Sequence, residues 1–200
     1  MKNKFLALAA FSAAALGGVI VSAPANAQIP QGSGPTQNIT VNVNVPEVLY
    51  LRTITTANVD ITAADLTTAT LTPTASTPPA LIGSNQSAGT TVDPTSPFAG
   101  GFADPAGAGV PKTITSAYIV WSNSPAGTYS VQVTPPAGGF VGPGAAVVNA
   151  TIGGTNPVQV PAEGLVTSTP QDIALNLTAS DDNITAGTYT GQLTVEAFTP

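Results

Sequence analysis

Alternation of apolar and polar residues constrains this chain more than any other feature. In residues 37–45, Ile39, Val41, Val43 and Val45 point one way while Thr40, Asn42 and Asn44 point the other. That is the period-two pattern of a half-buried β-strand. It recurs where Ile173, Leu175 and Leu177 alternate with Ala174, Asn176 and Thr178, and where Tyr189, Leu193, Val195 and Ala197 share one phase of residues 188–198. Helical periodicity over a long window is confined to the N-terminal leader. No amphipathic helix is therefore available to cross between parallel strands, and the chain reads as all-β, a two-sheet β-sandwich.

Further strands follow from the same signal. Pro46 interrupts the first alternating segment, and residues 48–54 resume as a more uniformly apolar strand, so the proline marks a sheet edge, a bulge or a crossing between sheets. Residues 113–122 and 128–134 flank the turn-rich Asn123-Ser124-Pro125-Ala126-Gly127, which fits a β-hairpin. Shorter strands are expected at 145–152 and 157–160, and Ser180-Asp181-Asp182-Asn183 turns the chain between the last two. Residues 72–111 are dense in Pro, Gly, Ser and Thr. A structureless loop of that length is uncommon, so the region is either a surface excursion or holds an unrecognised strand.

The leader itself is distinctive. Lys2 and Lys4 open residues 1–27, an apolar run follows from 5 to 21, and Ala25-Asn26-Ala27 offers a small-x-small cleavage site. This predicts a secretory signal peptide cleaved to leave a single domain of residues 28–200 that begins at Gln28 and has no transmembrane segment. The protein should then be secreted to the extracellular space or cell surface, through a periplasm if the cell is Gram-negative. No cysteine is present, so packing and backbone pairing must supply stability without disulfides.

Charge is scarce: 7% of residues are Asp, Glu, Lys or Arg, where about 25% is ordinary. Beyond residue 27 only Arg52 and Lys112 are basic, and ten acids against these two leave a net charge of −8. Such a surface repels phosphate backbones and anionic headgroups, which argues against nucleic acid as a partner. Threonine and asparagine fill the polar positions instead, and β-branched threonine suits a pleated surface.

Catalytic chemistry has little to work with. The chain lacks histidine and cysteine, which removes the usual general base, the thiolate nucleophile and the preferred zinc ligands. A serine–lysine dyad would have to use Lys112, and no Ser-x-x-Lys motif leads to it. Two carboxylates suffice for glycoside hydrolysis, and Glu47, Glu163 and Glu196 are available, so a carboxylate-dependent glycosidase stands as a remote alternative. Glu196 falls on the polar phase of a strand, however, and Glu163 lies in a Pro-Ala-Glu-Gly turn, where solvated acids are the plain expectation. The glycines at 138–144 lack the Gly-Lys-Ser/Thr ending of a phosphate loop. The reading is a non-enzyme with no catalytic residue and no cofactor.

Two groups remain as binding candidates. Asp181, Asp182 and Asn183 carry oxygen atoms that suit calcium, though Asp and Asn also start turns by bonding their own backbone, and the turn is the simpler reading. Tyr118 and Trp121 could stack on sugar rings. The run 117–121 is apolar on both phases, so a strand buried on both faces explains them as core.

The alternating Asn38-Ile-Thr-Val-Asn-Val-Asn-Val45, placed just after a signal peptide, and the terminal Ala186-Gly-Thr-Tyr-Thr-Gly-Gln-Leu-Thr-Val195 resemble bacterial pilin-like and spore-coat-U-like surface proteins. The resemblance covers these two segments. It implies an immunoglobulin-like sandwich whose final strand is the second of them. It also implies assembly by donation of an N-terminal strand to the next subunit, with Ile39, Val41, Val43 and Val45 as donor residues. The chain lacks the disulfide many pilins carry, and its ending Glu196-Ala-Phe-Thr-Pro200 lacks their penultimate tyrosine.

These readings converge on an exported structural surface or matrix protein, a pilus- or fimbria-like subunit that associates with itself or with other surface proteins in cell adhesion. The alternative is a secreted, non-catalytic binding module for a glycan or another protein. Residues 37–45 separate two plain possibilities, since they are either the first strand of their own sandwich or a strand given to a neighbour.

Overall fold

The computed structural model describes residues 29–199, so the leader and the cleavage site before Gln28 lie outside it. The described chain divides into two units, residues 29–44 and 45–199. In the first, a turn closes with Ser33 N–H donating to Pro30 O at 3.0 Å, and no helix or strand follows it.

The second unit is an antiparallel, all-β, sandwich-like fold. Its elements are β1 (Leu49–Thr53), a single helical turn α1 (Ala63–Leu66), β2 (Thr72–Pro73), β3 (Leu81–Ile82), β4 (Val110–Ser122) and β5 (Thr128–Thr134). Then come β6 (Phe140–Val141), β7 (Val147–Ile152), β8 (Val158–Pro161), β9 (Gln171–Ala179) and β10 (Thr194–Phe198). One sheet runs β1-β4-β9-β7-β6 and the other β10-β5-β8, while β2 and β3 form a small separate ribbon. No helix among the described residues is long and apolar enough to cross a membrane.

The core lies where alternation placed apolar side chains inward. Ile173, Leu175, Leu177 and Ala179 of β9 are all buried, and the first three share one core cluster with Tyr129, Val131 and Val133 from the opposite sheet. Burying a Leu or Val side chain contributes roughly 1.5–3 kcal/mol relative to leaving it exposed, so these inward rows supply the main drive for the two sheets to pack.

Three expectations need correction. First, β4 and β5 are not a hairpin, since β4 pairs with β1 and β9 whereas β5 pairs with β10 and β8. The connection crosses between sheets because the end of β4 is already occupied. Asn123 Oδ1 accepts from Val48 N–H at 2.6 Å, Asn123 Nδ2 donates to Pro46 O at 2.9 Å, and Ser122 exchanges backbone hydrogen bonds with Gly164.

Second, the terminal strand is shorter than expected. Residues 188–193 are not laddered into β10; Thr190 instead exchanges two 3.0 Å backbone bonds with Val141 of β6. The segment thus starts against one sheet and ends in the other. Gly142 makes room for that crossing, because a Cβ there would sit 2.5 Å from the Tyr189 ring.

Third, residues 37–45 carry the clearest alternation and form no strand. Alternation specifies which side chains want cover, but a strand exists only where another edge accepts its backbone.

The region 72–111 is tied down at several points. Beyond the β2–β3 ribbon and the first two residues of β4, Phe102 is buried in the core and its carbonyl accepts from Ala179 N–H at 3.0 Å. Thr67, also buried, hydrogen-bonds through its hydroxyl to Pro97 O. The region thus holds two short strands that the sequence did not reveal and a buried aromatic anchor.

Candidate functional site

Two places gather features that packing alone does not use. At the first, β1 and β10 run close enough for Cα atoms to lie within 8 Å of each other, yet no ladder joins them. β1 bonds only to β4 and β10 only to β5, so each turns an unpaired backbone edge toward the seam where the two sheets meet. Inward side chains at this seam are incompletely covered: Leu49, Leu51, Val195 and Ala197 pack on the core but stay half-buried, whereas their counterparts in β4, β5 and β9 are buried.

Upstream of β1, the backbone of residues 37–45 makes no hydrogen bond to other backbone among the described residues. Its apolar side chains face solvent, with Ile39 87%, Val41 74%, Val43 78% and Val45 73% exposed. Four β-branched side chains on one phase, all uncovered, are a costly thing to leave in water. Where this segment joins the sandwich, the Asn123 amide grips both Pro46 and Val48 and fixes the start of β1.

The second place is the outer face of β1 and β4. Tyr50 is the cross-strand partner of Trp121, and Arg52 pairs with Ile119 one step along. Tyr50 and Trp121 rings lie 5.9 Å apart at an interplanar angle of 53°, a tilted aromatic contact. The Arg52 guanidinium carbon sits 5.2 Å from the Trp121 ring centroid and 6.0 Å from that of Tyr50, within the range of a cation–π interaction. Val48 and Leu165 complete a shallow depression of about 320 Å³.

The sequence pairing of Tyr118 with Trp121 therefore does not hold in space. Tyr118 is 4% exposed and points to the core, and burial pushes its phenol pKa up, as it does for Tyr129. Trp121 occupies the opposite phase and is only half-buried. The inward phase of β4 runs through Val110, Ile114, Tyr118 and Val120 on both sides of a bulge between Ile114 and Tyr118, where Ser116 has φ +50, so Trp121 falls on the outer phase. Tyr50 was missed as the partner because cross-strand neighbours become visible only once register is known.

The remaining candidates do not assemble. Asp181 accepts from Asn183 N–H at 2.8 Å, which closes an Asx turn, and no group of three or more acidic side chains converges among the described residues. Glu163 accepts from the Thr169 hydroxyl at 3.0 Å, while Glu47 and Glu196 are exposed. Comparison with family models, with curated proteins and with solved structures gave no match.

Proposed function

We propose that this chain is an exported, non-catalytic structural subunit of a surface or matrix assembly, which builds polymers by giving residues 37–45 to the next copy. The observation that carries the reading is the unpaired alternating segment, its four β-branched side chains 73–87% exposed. The seam between β1 and β10 supports it, since two free edges and half-buried Leu49, Leu51, Val195 and Ala197 are what an incoming strand would need. Strand addition satisfies main-chain groups by pairing and specifies register through alternate side chains. Nine residues would span about 30 Å as a strand.

Truncation tests the reading. Protein lacking residues 28–45 should fold, remain monomeric and bind an added peptide of sequence 37–45, while the intact mature chain forms filaments visible by electron microscopy. A mature chain that stays monomeric at high concentration, or a truncated chain that unfolds, would overturn it.

A further inference from the structure

We infer that the outer face of β1 and β4 is a saccharide-binding site selective for a sugar ring bearing a carboxylate, with Tyr50 and Trp121 as stacking surfaces and Arg52 as the anion contact. It is separate from strand exchange, because Tyr50 and Arg52 occupy the phase of β1 that faces away from the seam's inward residues Leu49 and Leu51.

Scarcity makes the convergence informative. The chain has one Trp and four Tyr, and beyond the leader only two basic residues. Its single Trp, a Tyr that is 54% exposed and one of those two cations meet within about 6 Å on one open face. The other cation, Lys112, is neutralised by Asp65 at 2.6 Å, whereas Arg52 makes no ion pair among the described residues. An exposed Tyr ring and an unpaired guanidinium add nothing to the core.

The chemistry selects the ligand. Pyranose rings present a flat C–H face that packs on an aromatic ring, and the 53° tilt between Tyr50 and Trp121 gives a cleft rather than a plane. Arg offers a planar fork of N–H donors that matches a carboxylate in bidentate fashion. One fork fits one carboxylate. The net charge of −8 beyond the leader disfavours polyphosphates and densely charged polyanions, which leaves a glycan carrying isolated acidic rings.

Because Trp121 is the only tryptophan, its fluorescence reports on this face alone. Titration of the mature protein with cellobiouronic acid should give a saturable change, and cellobiose, which carries a hydroxymethyl group in place of the carboxylate, should bind about tenfold or more weakly. Added salt should weaken the first and spare the second. R52Q should erase the difference between the two sugars. Y50A should weaken both, with the circular dichroism spectrum unchanged in either variant and the melting temperature lowered by no more than Trp121→Ala lowers it, since both side chains are exposed. No response to either sugar, equal affinity for the two, or R52Q retaining the preference would overturn the assignment.

Discussion

Lys112 lies on the inward phase of β4, between Val110 and Ile114, and its ammonium reaches Asp65 of α1 at 2.6 Å. Both side chains are 18% exposed. The pair ties the excursion that follows β1 to the central sheet, and Asp65 also accepts from the N–H and hydroxyl of Thr62, which closes a capping box on α1. Desolvation pushes the Asp65 carboxyl up, but the Lys112 ammonium and the two Thr62 donors outweigh it and hold the pKa below its ordinary 3.8.

A carboxyl whose pKa is lower folded than unfolded adds stability above the unfolded value, and that contribution disappears as pH falls through the folded value. Asp65→Asn should therefore cost about 1–2 kcal/mol at neutral pH, between the values for exposed pairs and buried charged hydrogen bonds. The difference from wild type should shrink once pH drops below about 4. Urea melts across that range check both statements; a difference that persists undiminished at acid pH would refute the charge argument.

Asn156 suggests a second measurement. Its side chain bonds both backbone groups of Val133, accepting from N–H at 2.9 Å and donating to C=O at 2.8 Å. The amide extends the ladder of β5 past its register with β8, which runs only from Thr128 to Val131. Asn156→Ala leaves that donor and acceptor unmet and should cost about 1–3 kcal/mol. Amide exchange at Val133 should accelerate, read by hydrogen–deuterium exchange.

The sandwich was legible in the sequence because β9 and β5 carry apolar phases whose meaning is local: a period of two decides which side faces in. Strand partners were not legible. Residues 123–127 look alike whether the chain folds back beside itself or crosses to the other sheet, and the choice is made by Asn123 and Ser122 finding Pro46, Val48 and Gly164 far away in sequence. Trp121 was misplaced for a related reason. A run that is apolar on both phases signals two covered faces, yet here the outer phase is only half-covered at Ile119 and Trp121. Of the ring pair on the outer face, Trp121 stood out in the sequence and Tyr50 was hidden, because its place beside Trp121 depends on register.

That placement changes what Trp121 contributes. Leu175 is 2% exposed at the centre of β9, so Leu175→Ala should cost about 2–5 kcal/mol in the manner of core truncations. Trp121→Ala removes a half-covered ring from the outer face and should cost less, about 1–2 kcal/mol, mostly lost contact with Tyr50 and Arg52. Chemical denaturation of the two variants side by side decides the order. A larger loss for Trp121→Ala would return the ring to the core.

The alternating segment permits a test in which phase is the variable. Val41 is 74% exposed and Asn42 is exposed beside it, so a charge at either position meets water in the isolated subunit and should leave its melting temperature unchanged. In an assembly built by strand addition the two positions are no longer equivalent. The Val41 phase would be buried against Leu49, Leu51, Val195 and Ala197, and an unpaired carboxylate there is expensive; the Asn42 phase would stay toward solvent. Val41→Asp should abolish assembly, and Asn42→Asp should preserve it. Light scattering and electron microscopy of both variants at matched concentration provide the readout. Equal assembly of both would show that no face of this segment is buried in a neighbour, and destabilisation of the Val41→Asp monomer would show that the segment is already a strand of its own subunit.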